Sequence, residues 1–203
     1  MKRKLVIIFV AIFFIISLNS CSLFFGKNTI KNLKFKIDGI SAFRMNGFDI
    51  SEKNTFKDFG AEEVIRFMAS YNMQKIPVEF MLRLKILNPN DGNSGTQRIT
   101  CTLTKLDWKL FLNDNELISG ITETPSEITP GGHGITVPIR VSANLFKVLN
   151  FSNAESAVNI ILSLGGIKGS PEKLKLEVQP TVSTIFGEIT YPEKITVINK
   201  SFN

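Results

Sequence analysis

From Val78 to Leu87 apolar and polar side chains alternate almost without a slip. Val78, Phe80, Leu82, Leu84 and Ile86 fall on one side; Glu79, Met81, Arg83, Lys85 and Leu87 fall on the other. A period of two marks a strand with one face in a core, because successive side chains of an extended chain point to opposite faces. A helix would spread the same residues around its circumference. The run stops at Asn88-Pro89-Asn90-Asp91-Gly92, five turn formers with a proline that cannot donate to a ladder. A strand of this kind needs partners, and the chain supplies them.

Leu33, Phe35 and Ile37 alternate with Lys34, Lys36 and Asp38, which predicts a strand over 33–38. A second is expected over 41–50, folded at Asn46-Gly47. The pattern predicts two strands over 99–104 and 106–112, a hairpin loop over 113–116, and a strand over 117–124 with a bulge at Gly120. The segment 129–134 is rich in turn formers and includes His133, read as a turn residue. It leads to a strand over 135–141, whose Pro138 calls for a sheet edge or a bulge. Alternating runs at 173–178, 181–191 (broken at Gly187) and 194–198 complete the set.

Two stretches change period. Val64, Phe67, Met68 and Tyr71 recur at helical spacing behind Glu62 and Glu63, acidic residues that suit the first turn of a helix, and Pro77 follows. Leu145, Val148 and Leu149, then Ala157, Val158, Ile161 and Leu162, predict helical turns within 142–164. Ser142 or Asn144 would cap them and Gly165-Gly166 would stop them. Many short strands with Gly, Pro and Asn between them and two short helical excursions make the chain mainly β, an antiparallel sandwich.

The first twenty-one residues carry a different message. Lys2, Arg3 and Lys4 precede twelve unbroken apolar residues from Leu5 to Ile16. That is the layout of a secretory signal, and the run is short of the roughly 20 residues a helix needs to span a bilayer. The run gives way to Leu18-Asn19-Ser20-Cys21, which resembles the lipobox of bacterial lipoproteins. The resemblance implies cleavage before Cys21, a diacylglycerol thioether on its sulfur and acylation of the new amine. More than one acyl chain suffices for a stable membrane hold. Residues 1–20 are then the signal peptide, 21–31 a lipidated tether in which Phe24-Phe25 can sit at the membrane interface, and 32–203 the sandwich. The expected place is the bacterial cell envelope, bound to the outer membrane and facing the periplasm.

Removing the signal takes the 24 Lys and Arg to 21, against 18 Asp and Glu. The remaining lysines are scattered in sequence, and no nucleic-acid partner is expected. Cys101, inside an alternating run, is expected to be a buried free thiol. One histidine and two cysteines leave no metal ligand set, and no P-loop or nucleophile elbow occurs. Asn88 to Asn93 offers side-chain oxygens to calcium, but Asp91 is its one carboxylate, so affinity there would be poor. Catalytic residues, metals and cofactors are therefore not expected.

Three landmarks come in a fixed order. A long alternating strand ends in Asn88-Pro89-Asn90. A strand pair follows, with Trp108-Lys109-Leu110-Phe111-Leu112-Asn113 and Ser119-Gly120. Pro130-Gly131-Gly132 then leads into Ile135-Thr136-Val137-Pro138-Ile139. Together they resemble the late-embryogenesis-abundant type 2 domain, also called the water-stress and hypersensitive-response (WHy) domain, over about 75–141 and extending toward 197. The resemblance implies an immunoglobulin- or fibronectin-III-like sandwich, no catalytic residues, and a structural role for Asn88, Pro89 and Asn90. Three functions follow as expectations. The first is a non-catalytic binding or structural module for an envelope protein. The second is a carrier or sensor of a hydrophobic ligand, held between the 64–71 helix and the sheet. The third is protection in desiccation or osmotic stress.

Overall fold

The computed structural model describes residues 32–93, 98–149, 151–164, 174–185 and 187–198. The predicted signal peptide, Cys21, the tether and the Gly165-Gly166 stop lie outside the described residues.

Ten strands and two α-helices follow in the order β1 (Lys34–Met45), β2 (Phe48–Asp49), α1 (Ala61–Asn72), β3 (Pro77–Leu87), β4 (Cys101–Leu112), β5 (Asn115–Thr122), β6 (Ser126–Ile128), β7 (Ile135–Asn144), α2 (Ala154–Leu164), β8 (Leu174–Thr184), β9 (Gly187–Thr190) and β10 (Ile195–Ile198). Single 3₁₀ turns occupy Phe56–Asp58 and Leu145–Lys147. The strands form two antiparallel sheets, β2-β1-β3-β7 and β10-β8-β4-β5; β6 extends the second along β4, and β9 along β8.

The alternating run in β3 sets the inner face. Val78, Phe80, Leu82, Leu84 and Ile86 are buried; so are Val137, Ile139 and Val141 of β7, Leu103, Leu106, Leu110 and Leu112 of β4, and Leu174, Leu176 and Val178 of β8. These side chains belong to one continuous apolar core, so the sheets stack as a sandwich. Each fully buried aliphatic side chain contributes about 2 kcal/mol.

The structure redraws several sequence expectations. The predicted strands at 33–38 and 41–50 are one strand, β1, carrying two register shifts, between Ile37 and Gly39 and between Ser41 and Arg44. The Asn46-Gly47 turn is present, both residues having left-handed backbone, and leads only into the two-residue β2. The strands at 99–104 and 106–112 are likewise one strand, β4, with a shift between Leu103 and Lys105. Such shifts reset the side-chain parity, so a continuous strand reads as two. The hairpin after β4 turns on Asn113 and Asp114 alone, not on four residues, and Leu112 pairs with Asn115. Strand β6 is absent from the sequence reading because three residues are too few to show a period.

Gly120 is no bulge. It pairs regularly with Trp108, and the irregularity in β5 falls instead between the Leu110–Ile118 and Phe111–Glu116 pairs. A Cβ at position 120 would lie 2.5 Å from Trp108 Cζ2, so the glycine makes room for the indole. Pro138 lies on β7, which among the described residues pairs with β3 alone and so forms a sheet edge. Asn144 is the cap of the second helical excursion, its Oδ1 accepting from Phe146 N at 3.2 Å and from Ile76 N at 2.8 Å. Asn153 plays the same part for α2, accepting from Ser156 N at 2.8 Å. Among the described residues no helix is long and apolar enough to cross a membrane.

Candidate functional site

The Asn88-Pro89-Asn90 segment sits where β3 leaves its sheet, and its two asparagines are buried. The Asn88 side chain makes four hydrogen bonds. Its Nδ2 donates to the Ile99 carbonyl at 2.8 Å and to the Ile128 carbonyl at 3.2 Å. Its Oδ1 accepts from Asn90 N at 3.1 Å and from Asn90 Nδ2 at 2.8 Å. The Asn88 carbonyl accepts from Gly131 N at 3.0 Å, beside a parallel bridge between Asn88 and Pro130. Asn32 Nδ2 donates to Asn90 Oδ1 at 3.0 Å.

The Asn88 side-chain amide therefore joins the end of β3 to the approach to β4 and the end of β6, and its backbone carbonyl adds the loop before β7. A primary amide suits this place because it offers two donors and two acceptor sites together. Pro89 fixes φ between the asparagines and leaves its carbonyl to accept from Asp91 N at 2.9 Å. Gly134 belongs to the same knot. Its φ is +76°, and a Cβ there would run into the Ile86 carbonyl. Thus the sequence landmarks at 88–90 and 130–134, some forty residues apart, meet in space.

At the other end of the sandwich α1 and the Leu145–Lys147 turn are joined by aromatic rings. Phe59 stacks on Phe56, Phe56 meets Phe67 edge-on at 6.3 Å, Phe67 lies 6.2 Å from Tyr71, Tyr71 meets Phe146 at 5.7 Å, and Phe146 meets Phe151 at 5.6 Å. The predicted stripe on α1 divides. Phe67 is in the core, Val64 and Tyr71 are half-buried, and Met68 is exposed. The Phe67 ring is buried beside those of Phe56 and Tyr71. Phe56, Phe146 and Phe151 went unread because they lie on 3₁₀ turns and loops, where no period identifies them. Ile65 and Met73 of the α1 region project to solvent.

The acidic start of α1 has structural partners. Glu63 Oε2 accepts from Gly60 N at 2.6 Å and from Lys53 Nζ at 2.9 Å. These contacts hold its carboxyl below the usual range, the lysine bond contributing most. Glu62 pairs with Arg66 one turn on at 2.7 Å. Asp58 is lowered by the backbone N–H groups of Asn54 and Thr55.

Cys101 is buried in β4, and burial pushes its thiol up to about 11. His133 is exposed in the bend after Gly132. A shallow depression of about 470 Å³ lies on the outer face of the β4 sheet, lined by Asp107, Lys109, Ser119, Ile121, Gln179 and Lys194. Its walls mix both charge signs with the apolar side chains of Trp108 and Ile121.

No family model matches this chain, and no curated protein matches it. Among solved structures it is similar to a protein from Archaeoglobus fulgidus known from its crystal structure, at 12% identity over 62% of this chain and 87% of that one, with a TM-score of 0.30.

Proposed function

We propose that this chain is a lipid-anchored lipoprotein of a bacterial cell envelope whose β-sandwich is a non-catalytic binding or structural module. The observation that carries the reading is Leu18-Asn19-Ser20-Cys21 directly behind a basic start and a twelve-residue apolar run. Ten residues then separate Cys21 from Asn32, the first described residue. The lipid on Cys21 is the membrane partner, and the outer membrane facing the periplasm is the proposed place. Kinship with the late-embryogenesis-abundant type 2 domain belongs to the same proposal. The buried Asn88 at a strand end and its bridge to Pro130 support it. The order β1-β3-β7 facing β10-β8-β4-β5 supports an immunoglobulin- or fibronectin-III-like sandwich.

The test is the intact mass of the N-terminal peptide after expression of the full chain in a bacterium, beside the Cys21→Ala variant. The expected result is a chain beginning at residue 21 with diacylglycerol and acyl mass on it. It should partition into the detergent phase, and Cys21→Ala should keep its leader. A mature chain that begins elsewhere, or carries no lipid, overturns the reading.

A further inference from the structure

The outer face of the β2-β1-β3-β7 sheet carries a depression of about 210 Å³ near the start of β3. It is lined by Ala42, Arg44, Glu79, Phe80, Met81 and Arg140. A β-bulge in β1 borders it. Ser41 pairs with Met81 and Arg44 with Glu79, so Ala42 and Phe43 together face the single Phe80. The Phe43 ring is buried and stacks on Phe80 at 5.2 Å. Ala42 is exposed and takes left-handed backbone, with φ +52°. Bulges re-aim the side chains around them. Here the extra residue brings no more than a methyl group to the depression.

Three charged side chains surround the hollow. Glu79 stands directly opposite Arg44, and Arg140 stands opposite Met81, one step diagonally from Glu79. Among the described residues the side chains of Arg44, Glu79 and Arg140 form no ion pair or hydrogen bond. Neighbouring opposite charges elsewhere on the surface do close up, Arg66 on Glu62 at 2.7 Å and Lys109 on Glu116 at 2.8 Å. Asp49, the other carboxylate opposite Arg44, accepts from Ser51 N at 2.9 Å. Two guanidinium groups and one carboxylate are therefore within reach of a ligand.

The arrangement selects by charge. An anion alone would meet Glu79, and a cation alone would meet two arginines. A molecule that carries both signs on neighbouring atoms satisfies all three. Arginine forks match a carboxylate in plane and in spacing. The strands that bear Arg44 and Arg140 lie two steps apart in the sheet, about 10 Å, so their long side chains can converge on one anion between them. The floor is apolar, with half-buried Met81 beside the Ala42 methyl group. The volume is below the roughly 300–1,000 Å³ of pockets for drug-sized ligands, which calls for something smaller.

We propose that this depression binds a free α-amino acid with a small apolar side chain. Arg44 and Arg140 take the carboxylate, Glu79 takes the ammonium group, and the side chain rests on Met81 and Ala42. An ethanolamine phosphate headgroup carries the same two charges but brings nothing to the apolar floor. Arg44, Glu79 and Arg140 are exposed, so their contacts are screened by water and salt, and binding is weak and salt-sensitive. This site goes beyond the anchored-module reading and does not depend on the lipid.

The test is a titration of the full chain, nitrogen-15 labelled and held in detergent micelles, with L-leucine up to 20 mM. The backbone amide shifts of Ala42, Arg44, Glu79, Met81 and Arg140 give the dissociation constant. Three further probes are titrated in parallel: 4-methylpentanoate, which lacks the ammonium group; 3-methylbutylamine, which lacks the carboxylate; and glycerophosphoethanolamine. Leucine is expected to bind at least fivefold more tightly than each of them. Glu79→Gln should weaken leucine at least fivefold and bring it level with 4-methylpentanoate. Arg140→Gln should weaken leucine and 4-methylpentanoate alike. Both positions are exposed, and unchanged shifts of the core amides show that the variants fold. No shift at the depression by 20 mM overturns the proposal. So does equal affinity for leucine and either one-charge probe, or an undiminished affinity in Glu79→Gln. Glycerophosphoethanolamine binding as tightly as leucine overturns the assignment to an amino acid.

Discussion

Asn88 and Asn90 are joined twice, since the backbone N–H and the side-chain amide of Asn90 both donate to Asn88 Oδ1, at 3.1 and 2.8 Å. The pair turns the chain out of β3 while Asn88 Nδ2 holds the Ile99 and Ile128 carbonyls. Truncation leaves these groups buried without their partner, and each such group costs about 1–3 kcal/mol. Asn88→Ala is therefore expected to lower the unfolding free energy by about 3 kcal/mol or more, measured by urea denaturation. Asn88→Asp should be worse, because it turns an acceptor toward two carbonyls and buries a charge. A variant with an unchanged midpoint would mean that water replaces the amide without loss.

Gly120 and Trp108 form a second pair in which one residue fixes the other. The indole covers Gly120, and its Nε1 donates to Thr122 Oγ1 at 3.2 Å. Gly120→Ala drives a methyl group into the ring, and overpacking of this kind costs about 2 kcal/mol. The variant should also shift the fluorescence of the single tryptophan. Trp108→Phe removes the part of the ring that collides, so the double variant should lose less than the two single losses added. Strict additivity in that cycle would show that the collision is relieved elsewhere.

The fold was legible where parity held and illegible where it slipped. β3 runs in strict alternation and is found within a residue of its limits. β1 and β4 carry register shifts, at Ile37/Gly39, Ser41/Arg44 and Leu103/Lys105, and each reads as two strands. Asn88-Pro89-Asn90 and Pro130-Gly131-Gly132 stand out in the sequence as turn formers, but their meeting depends on strand pairing between distant segments, which local pattern does not encode. The pairing of β1 on β3 was hidden for the same reason. Lys36 and Lys85 lie far apart in the chain, and only the register of β1 on β3 sets them side by side.

Glu63 makes the start of α1 sensitive to acid. Lys53 and the Gly60 N–H stabilise its carboxylate, so its folded value lies below the usual 4.5. A carboxyl depressed in the folded state contributes stability above its unfolded value and loses it as pH falls through the folded value. Glu63→Gln keeps an acceptor for Gly60 but gives up the charge. It should cost about 1 kcal/mol at pH 7. The gap between variant and wild type should close as pH falls below 4.5, read from thermal midpoints across pH 3–7. A gap that stays constant over that range would assign the loss to packing rather than to charge.

Cys101 should behave in the opposite direction. Burial alone raises its thiol from the ordinary 9.0 to about 11, so the folded chain keeps the proton that the unfolded chain gives up. Between those values the folded state binds more protons than the unfolded one, and stability must fall as pH rises. Cys101→Ala, which cannot titrate, should lack this alkaline decline, at the price of a small cavity beside Ile128. The same burial makes the thiol a poor nucleophile. The native chain should leave Cys101 unmodified by an aromatic disulfide reagent at pH 8 over a time in which the urea-unfolded chain reacts completely. Rapid modification of the native chain would mean that the β4–β6 pairing opens on that timescale, and that the end of the sandwich held by Asn88 is looser than its hydrogen bonds imply.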